Sequence, residues 1–185
     1  MKVKICGLRT EEAVLAAEDA GVDFLGFVFY EKSHRHIFPE EVRGLTKHVQ
    51  RAKTVGVFVD APLDAVNAAA DFCSLDFVQL HGHESAAYAR AVCRPVIKAF
   101  RWGDDFSMEK ANEYPAEIIL LDSFSKDAVG GTGQRFHWRE AADARRLQEA
   151  GCGGILVGEG LVCADDVAQM TRRLANPCAL AKESA

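Results

Sequence analysis

A chain of 185 residues, 49% of them hydrophobic, has the material for one good core, so a single domain is expected. The net charge of -5 is modest and the lysines and arginines are scattered, which argues against nucleic acid or an anionic membrane as the main partner. No apolar run approaches ~20 residues, which excludes a transmembrane helix. The chain starts directly in a strand pattern with no signal-peptide layout, and a cytoplasmic protein is expected. Six cysteines (Cys6, Cys73, Cys93, Cys152, Cys163 and Cys178) show no C-x-x-C spacing, which fits reduced thiols better than a disulfide frame or a zinc site.

Residues 1–5 form a short apolar run that stops at Cys6-Gly7. Thr10-Glu11-Glu12 then opens an amphipathic helix over 13–20. Residues 23–30 (DFLGFVFY) are nearly continuously apolar, as expected of a strand covered on both faces. A basic loop containing Arg35 follows, and Pro39 starts a second helix at a position where proline is tolerated. The pattern then repeats. Strands are predicted over 54–59, 77–80, 95–100, 117–121 and 153–157, with helices over 62–72, 84–93, 105–113, 138–150 and 164–174. The tail, 176–185, is polar and predicted to fray.

Regular βα alternation with buried strands implies a parallel sheet. Unit lengths in the twenties suit a compact barrel better than a doubly wound sheet. The fold class is therefore α/β, a TIM-type (βα) barrel over residues 1–175, with seven recognisable strands rather than eight. Cys6, Arg35, Asp60, His81, Arg101 and Asp122 all fall at or just past strand C-termini, the rim where such barrels carry their chemistry. On a strand, Lys4 and Cys6 share a face, and an ammonium beside a thiol favours the thiolate. The competing reading of Cys6 is a small buried hydrophobe with an inert S–H. For Asp60 a helix cap before the 62–72 helix is the favoured role. Trp102 and Trp138 are expected in packing, and the other five cysteines are expected to be inert. Glycines at 130, 131 and 133, and again at 158 and 160, precede helical patterns and suit an anion.

KICGL at 4–8, LGFVFYEKSHRHI at 25–37, VGVFVD at 55–60, VQLHGHE at 78–84, PVIKAF at 95–100, LLDS at 120–123 and GGTGQRFHW at 130–138 follow in order. Together they closely resemble the phosphoribosylanthranilate isomerase family, over roughly residues 2–138. The resemblance implies an eight-stranded barrel that rearranges an aminoaldose to an aminoketose in tryptophan biosynthesis, with no metal and no organic cofactor. It implies Cys6 as general base, Asp122 as general acid and Arg35 as partner of the anthranilate carboxylate. His81, Gly131, Thr132, Gly133, Gly158 and Gly160 complete the expected substrate contacts, the glycines and Thr132 at the phosphate. The expected partner is the phosphorylated sugar-anthranilate alone, with no nucleic acid and no membrane, on a monomer or homodimer. The wording of 147–166 is more similar to the last strand of indole-3-glycerol-phosphate synthase. An alternative reading is a non-catalytic or incomplete phospho-ligand-binding barrel that keeps Cys6 and Asp122 without turnover.

Overall fold

The computed structural model describes residues 2–101, 107–122 and 153–157. In chain order these form β1 (Lys2–Cys6), α1 (Glu11–Asp19), β2 (Phe24–Val28), α2 (Pro39–Thr46), β3 (Lys53–Phe58) and α3 (Leu63–Phe72). They continue with β4 (Phe77–Leu80), α4 (Ala86–Ala91), β5 (Val96–Arg101), α5 (Met108–Glu113), β6 (Ile118–Asp122) and β7 (Gly154–Val157). All pairings are parallel and the sheet runs β6-β5-β4-β3-β2-β1-β7. The glycines expected at the phosphate, the helices expected over 138–150 and 164–174, Trp102, Trp138, Cys152, Cys163, Cys178 and the tail lie outside the described residues.

Local chemistry explains most of the helix starts. The Thr10 hydroxyl accepts the Ala13 amide at the head of α1, and Ser85 and Ser107 do the same for α4 and α5. At α2, Pro39 occupies the first turn and the Glu41 carboxylate reaches back to the Phe38 amide at 3.1 Å. Asp60 departs from expectation. The cap residue of α3 is Pro62, with no side-chain cap, and Asp60 instead receives the backbone amide and ring of His83. Asp60 stands two residues ahead of the cap position, and His83 offers its carboxylate two donors at once. Those bonds hold the Asp60 carboxyl below its ordinary value.

Side chains alternate between two cores. Val3, Ile5, Leu25, Phe27, Val78 and Leu80 point towards the helices and pack there with Val14, Val42 and Val66. The opposite faces carry Val55, Phe77 and Ile97, with Cys6, Val28 and Val57 as a second cluster. That second face is concave. Three strand spacings separate β1 from β4, about 14 Å in a flat sheet. Yet Lys4 Nζ lies 2.8 Å from Gln79 Oε1, and the Phe24 and Phe77 rings meet edge to face at 5.7 Å. Only a sheet curled towards these side chains allows both contacts.

The ends of the strands differ in character. At the amino-terminal ends, Asp23 accepts the Val3 amide from the start of β1, and Asp76 accepts the Thr54 amide and hydroxyl from β3. The Glu18 carboxylate, buried on α1, accepts the Arg51 and Ala52 amides ahead of β3. These carboxylates pin strand starts. The polar groups at the carboxyl ends have different partners.

Candidate active site

β1 delivers two polar side chains to the concave face. Lys4 is 5% exposed and its ammonium has two partners, Gln79 Oε1 at 2.8 Å and Cys6 Sγ at 3.4 Å. Among the described residues no carboxylate neutralises it. Room for the pair comes from Gly26 on β2, where any Cβ would lie 2.9 Å from both Cys6 Sγ and Lys4 Nζ.

Cys6 ends its strand against Gly7, whose φ of +90° suits glycine and turns the chain off the sheet. The Arg35 side chain lies over Gly7, where a Cβ would meet Arg35 Cδ at 2.5 Å. From there Arg35 Nη1 reaches the Cys6 carbonyl at 3.4 Å. Arg35 Nε is buried with no hydrogen-bond partner among the described residues. A buried guanidinium N–H left open is suited to an anion supplied from outside the chain.

Across the concavity, β4 and β6 supply the remaining groups. Gln79, 1% exposed, places Nε2 at 2.9 Å from His81 Nδ1. His81 Nε2 lies 3.1 Å from Asp122 Oδ2. One unbroken series of contacts therefore runs Cys6–Lys4–Gln79–His81–Asp122, from the end of β1 to the end of β6. Of the residues singled out from sequence, Cys6, Arg35, His81 and Asp122 are brought to this face. Arg101 is paired in register with Asp122, so both point to the same face, while Asp60 belongs to the neighbouring loop contact with His83. Gln79 was not singled out. The available signal was an amide in the otherwise apolar strand FVQL, since a buried amide must find partners.

Behind this rim, on the helix side, Lys98 and Glu84 form a buried pair at 2.7 Å. Glu84 also accepts the amides of Asp60 and Gly82, and Lys98 donates to the Gly82 carbonyl. Together these contacts hold the His81-Gly82-His83 turn. Tyr114 joins them, its hydroxyl donating to the Glu84 carbonyl at 2.9 Å. Burial, followed by the Glu84 charge, pushes that phenol up to about 12, so it stays a donor. Burial, reinforced by Glu40, similarly lifts the Cys73 thiol to about 11, in keeping with an inert role. A cleft at the opposite end of the sheet, lined by Arg51, Lys53 and Asp76 among others, already has those charges paired within the chain.

A family model described as N-(5'phosphoribosyl)anthranilate (PRA) isomerase matches residues 3–173. The match therefore continues through 147–166. Among curated proteins, the N-(5'-phosphoribosyl)anthranilate isomerase of Geobacter sp. (strain M21) is 48% identical over 178 residues, covering 94% of this chain and 83% of that protein. The crystal structure of phosphoribosyl anthranilate isomerase from Thermus thermophilus is similar with a TM-score of 0.83 at 29% identity, over 98% of this chain and 100% of that one. A phosphoribosyl anthranilate isomerase crystallised with reduced 1-(o-carboxyphenylamino)-1-deoxyribulose 5-phosphate has a TM-score of 0.78 at 28% identity, over 95% of this chain and 99% of that one.

Proposed function

The chain belongs to the N-(5'-phosphoribosyl)anthranilate isomerase family, enzymes of tryptophan biosynthesis, and from that premise we propose how its own residues divide the reaction. Asp122 is the general acid and Cys6 the general base. The observation that carries this reading is the series of contacts joining a thiol and a carboxyl group at the ends of β1 and β6 on one concave face.

The chemistry needs both types of group. Asp122 gives a proton to the ribose ring oxygen, the C1′–O bond breaks, and the ring opens to a protonated Schiff base. Cys6, as thiolate beside the Lys4 ammonium, removes the proton from C2′, and the electron pair moves into an enolamine. Return of a proton to C1′ and loss of the C2′ hydroxyl proton give the aminoketose. Arg35 takes the anthranilate carboxylate, its Nε having no partner among the described residues. His81 stands beside the reacting ring through Asp122. Gly131, Thr132, Gly133, Gly158 and Gly160 are assigned to the phosphate, on the strength of glycine-rich turns before helical patterns. The curled sheet is read as a TIM-type (βα) barrel, its mouth at the carboxyl ends of the strands.

The test separates chemistry from binding. Cys6→Ala and Asp122→Asn are each expected to lower kcat by at least about 100-fold, because proton-transfer groups act mainly in the transition state. Affinity for a reduced product analogue is expected to stay within about tenfold of the unaltered chain. A variant that keeps its kcat removes that residue from the mechanism.

A further inference from the structure

We propose that Gln79 is a positioning residue that fixes the ring tautomer of His81, with Lys4 as the charge that fixes Gln79. An amide side chain has one accepting end and one donating end, and nothing intrinsic to it says which way it points. Lys4 decides. An ammonium only donates, so the carbonyl oxygen of Gln79 must face it, at 2.8 Å. The amide nitrogen is thereby turned to His81, where it meets Nδ1 at 2.9 Å. Both Gln79 hydrogens belong to donors, so His81 Nδ1 must accept and carries no proton. A neutral imidazole then has its hydrogen on Nε2, and Nε2 lies 3.1 Å from Asp122 Oδ2. His81 donates to Asp122 in this arrangement and receives nothing from it.

Each departure from this arrangement carries its own penalty. Turning the amide over would set NH₂ against a buried ammonium, and protonating Nδ1 with the amide as it stands would set N–H against NH₂. Each leaves a buried donor without an acceptor. Gln79 is 1% exposed and Lys4 5%, so the clash between their donors is closed to solvent.

The consequence falls on the acid. An imidazolium beside Asp122 would hold the carboxylate in an ion pair. A neutral ring that donates one hydrogen bond to Oδ2 leaves Oδ1, which has no partner among the described residues, to carry the proton to the substrate. This inference rests on Asp122 being the acid, and its test is chosen so that the two stand or fall separately.

The measurement is the ¹⁵N spectrum of the His81 ring in the unaltered chain, assigned by comparison with His81→Asn. Nδ1 is expected at an unprotonated position and Nε2 at a protonated one. Gln79→Glu keeps the shape and the Lys4 contact but replaces the donor with an acceptor. It is expected to move the proton onto Nδ1 and to lower kcat about 10- to 100-fold, with KM changed less than about threefold. A protonated Nδ1 in the unaltered chain overturns the proposal, and so does a Gln79→Glu spectrum with unchanged ring signals, whatever happens to kcat. Should Gln79→Glu fail to fold, the unaltered chain still decides. Turnover retained in Asp122→Asn would remove Asp122 as acid and leave the tautomer result untouched.

Discussion

A methyl group at position 26 would lie 2.9 Å from both Cys6 Sγ and Lys4 Nζ and 3.2 Å from the Cys6 Cα. The sulfur and the ammonium could swing aside, but the Cys6 Cα is backbone and gives way only if β1 shifts. Gly26→Ala is therefore expected to cost about 1–3 kcal/mol of stability and to lower kcat by displacing the thiol. A variant with wild-type melting and wild-type kcat would show that the pocket has slack. Arg35→Ala acts differently. It removes the proposed carboxylate partner, whose Nε has no partner among the described residues, and is expected to raise KM steeply with a smaller effect on kcat. An unchanged KM would mean that the anthranilate carboxylate is held elsewhere. The placement of Cys6, Arg35, His81 and Asp122 at one rim was legible in the sequence, because Cys6 and Asp122 end strands, His81 and Arg35 lie in loops after strands, and the sheet carries those ends together. Gln79 and Gly26 were not, because their value comes from what faces them. Nothing in FVQL alone says that a lysine from three strands away will reach the glutamine. Asp60 misled for a related reason, since its carboxylate is claimed by His83 across a loop.

At the scale of elements, strands and helices followed from periodicity, and their lengths were the uncertain part. α4 spans Ala86–Ala91, shorter than the 84–93 expected, because Ser85 takes the cap position and Glu84 is held back by Lys98. That ion pair is buried on both sides, and Glu84 accepts two backbone amides as well. Lys98→Met leaves the carboxylate buried without its cation and is expected to cost about 3–5 kcal/mol in chemical denaturation. A loss below about 1 kcal/mol would show that the pair contributes little. At one strand start, Asp76 contributes a pH dependence. Burial alone would raise the Asp76 carboxyl, but the Thr54 amide, Lys53 and the Thr54 hydroxyl more than reverse it, and the net shift is downward. A lowered folded value means that the stabilisation is complete above the ordinary 3.8 and is lost as pH falls through the folded value. Melting temperature measured from about pH 5 to about pH 2 is expected to fall less steeply in Asp76→Asn than in the unaltered chain. Equal slopes would remove Asp76 from the acid transition.

Over the whole molecule, the two ends of the sheet divide the work. Carboxylates at the amino-terminal ends hold neighbouring strand starts, while thiol, imidazole, carboxyl and guanidinium groups gather at the other end. β7 pairs with β1, so the two edges of the described sheet are β6 and β7, separated in sequence by residues 123–153. The sequence made the parallel α/β character plain because buried strands alternate with amphipathic helices. It was less informative about closure, since the last part of the chain offers one recognisable strand where two were expected of an eight-stranded barrel. No helix among the described residues is long and apolar enough to cross a membrane. The most direct measurement is turnover of freshly generated N-(5'-phosphoribosyl)anthranilate by the unaltered chain, run beside titration with a reduced product analogue. The account predicts isomerisation that saturates with substrate, and binding of the analogue at the same site. A folded chain that binds the analogue and leaves the substrate to its uncatalysed fate would contradict it, and would mark the fold as a binding module.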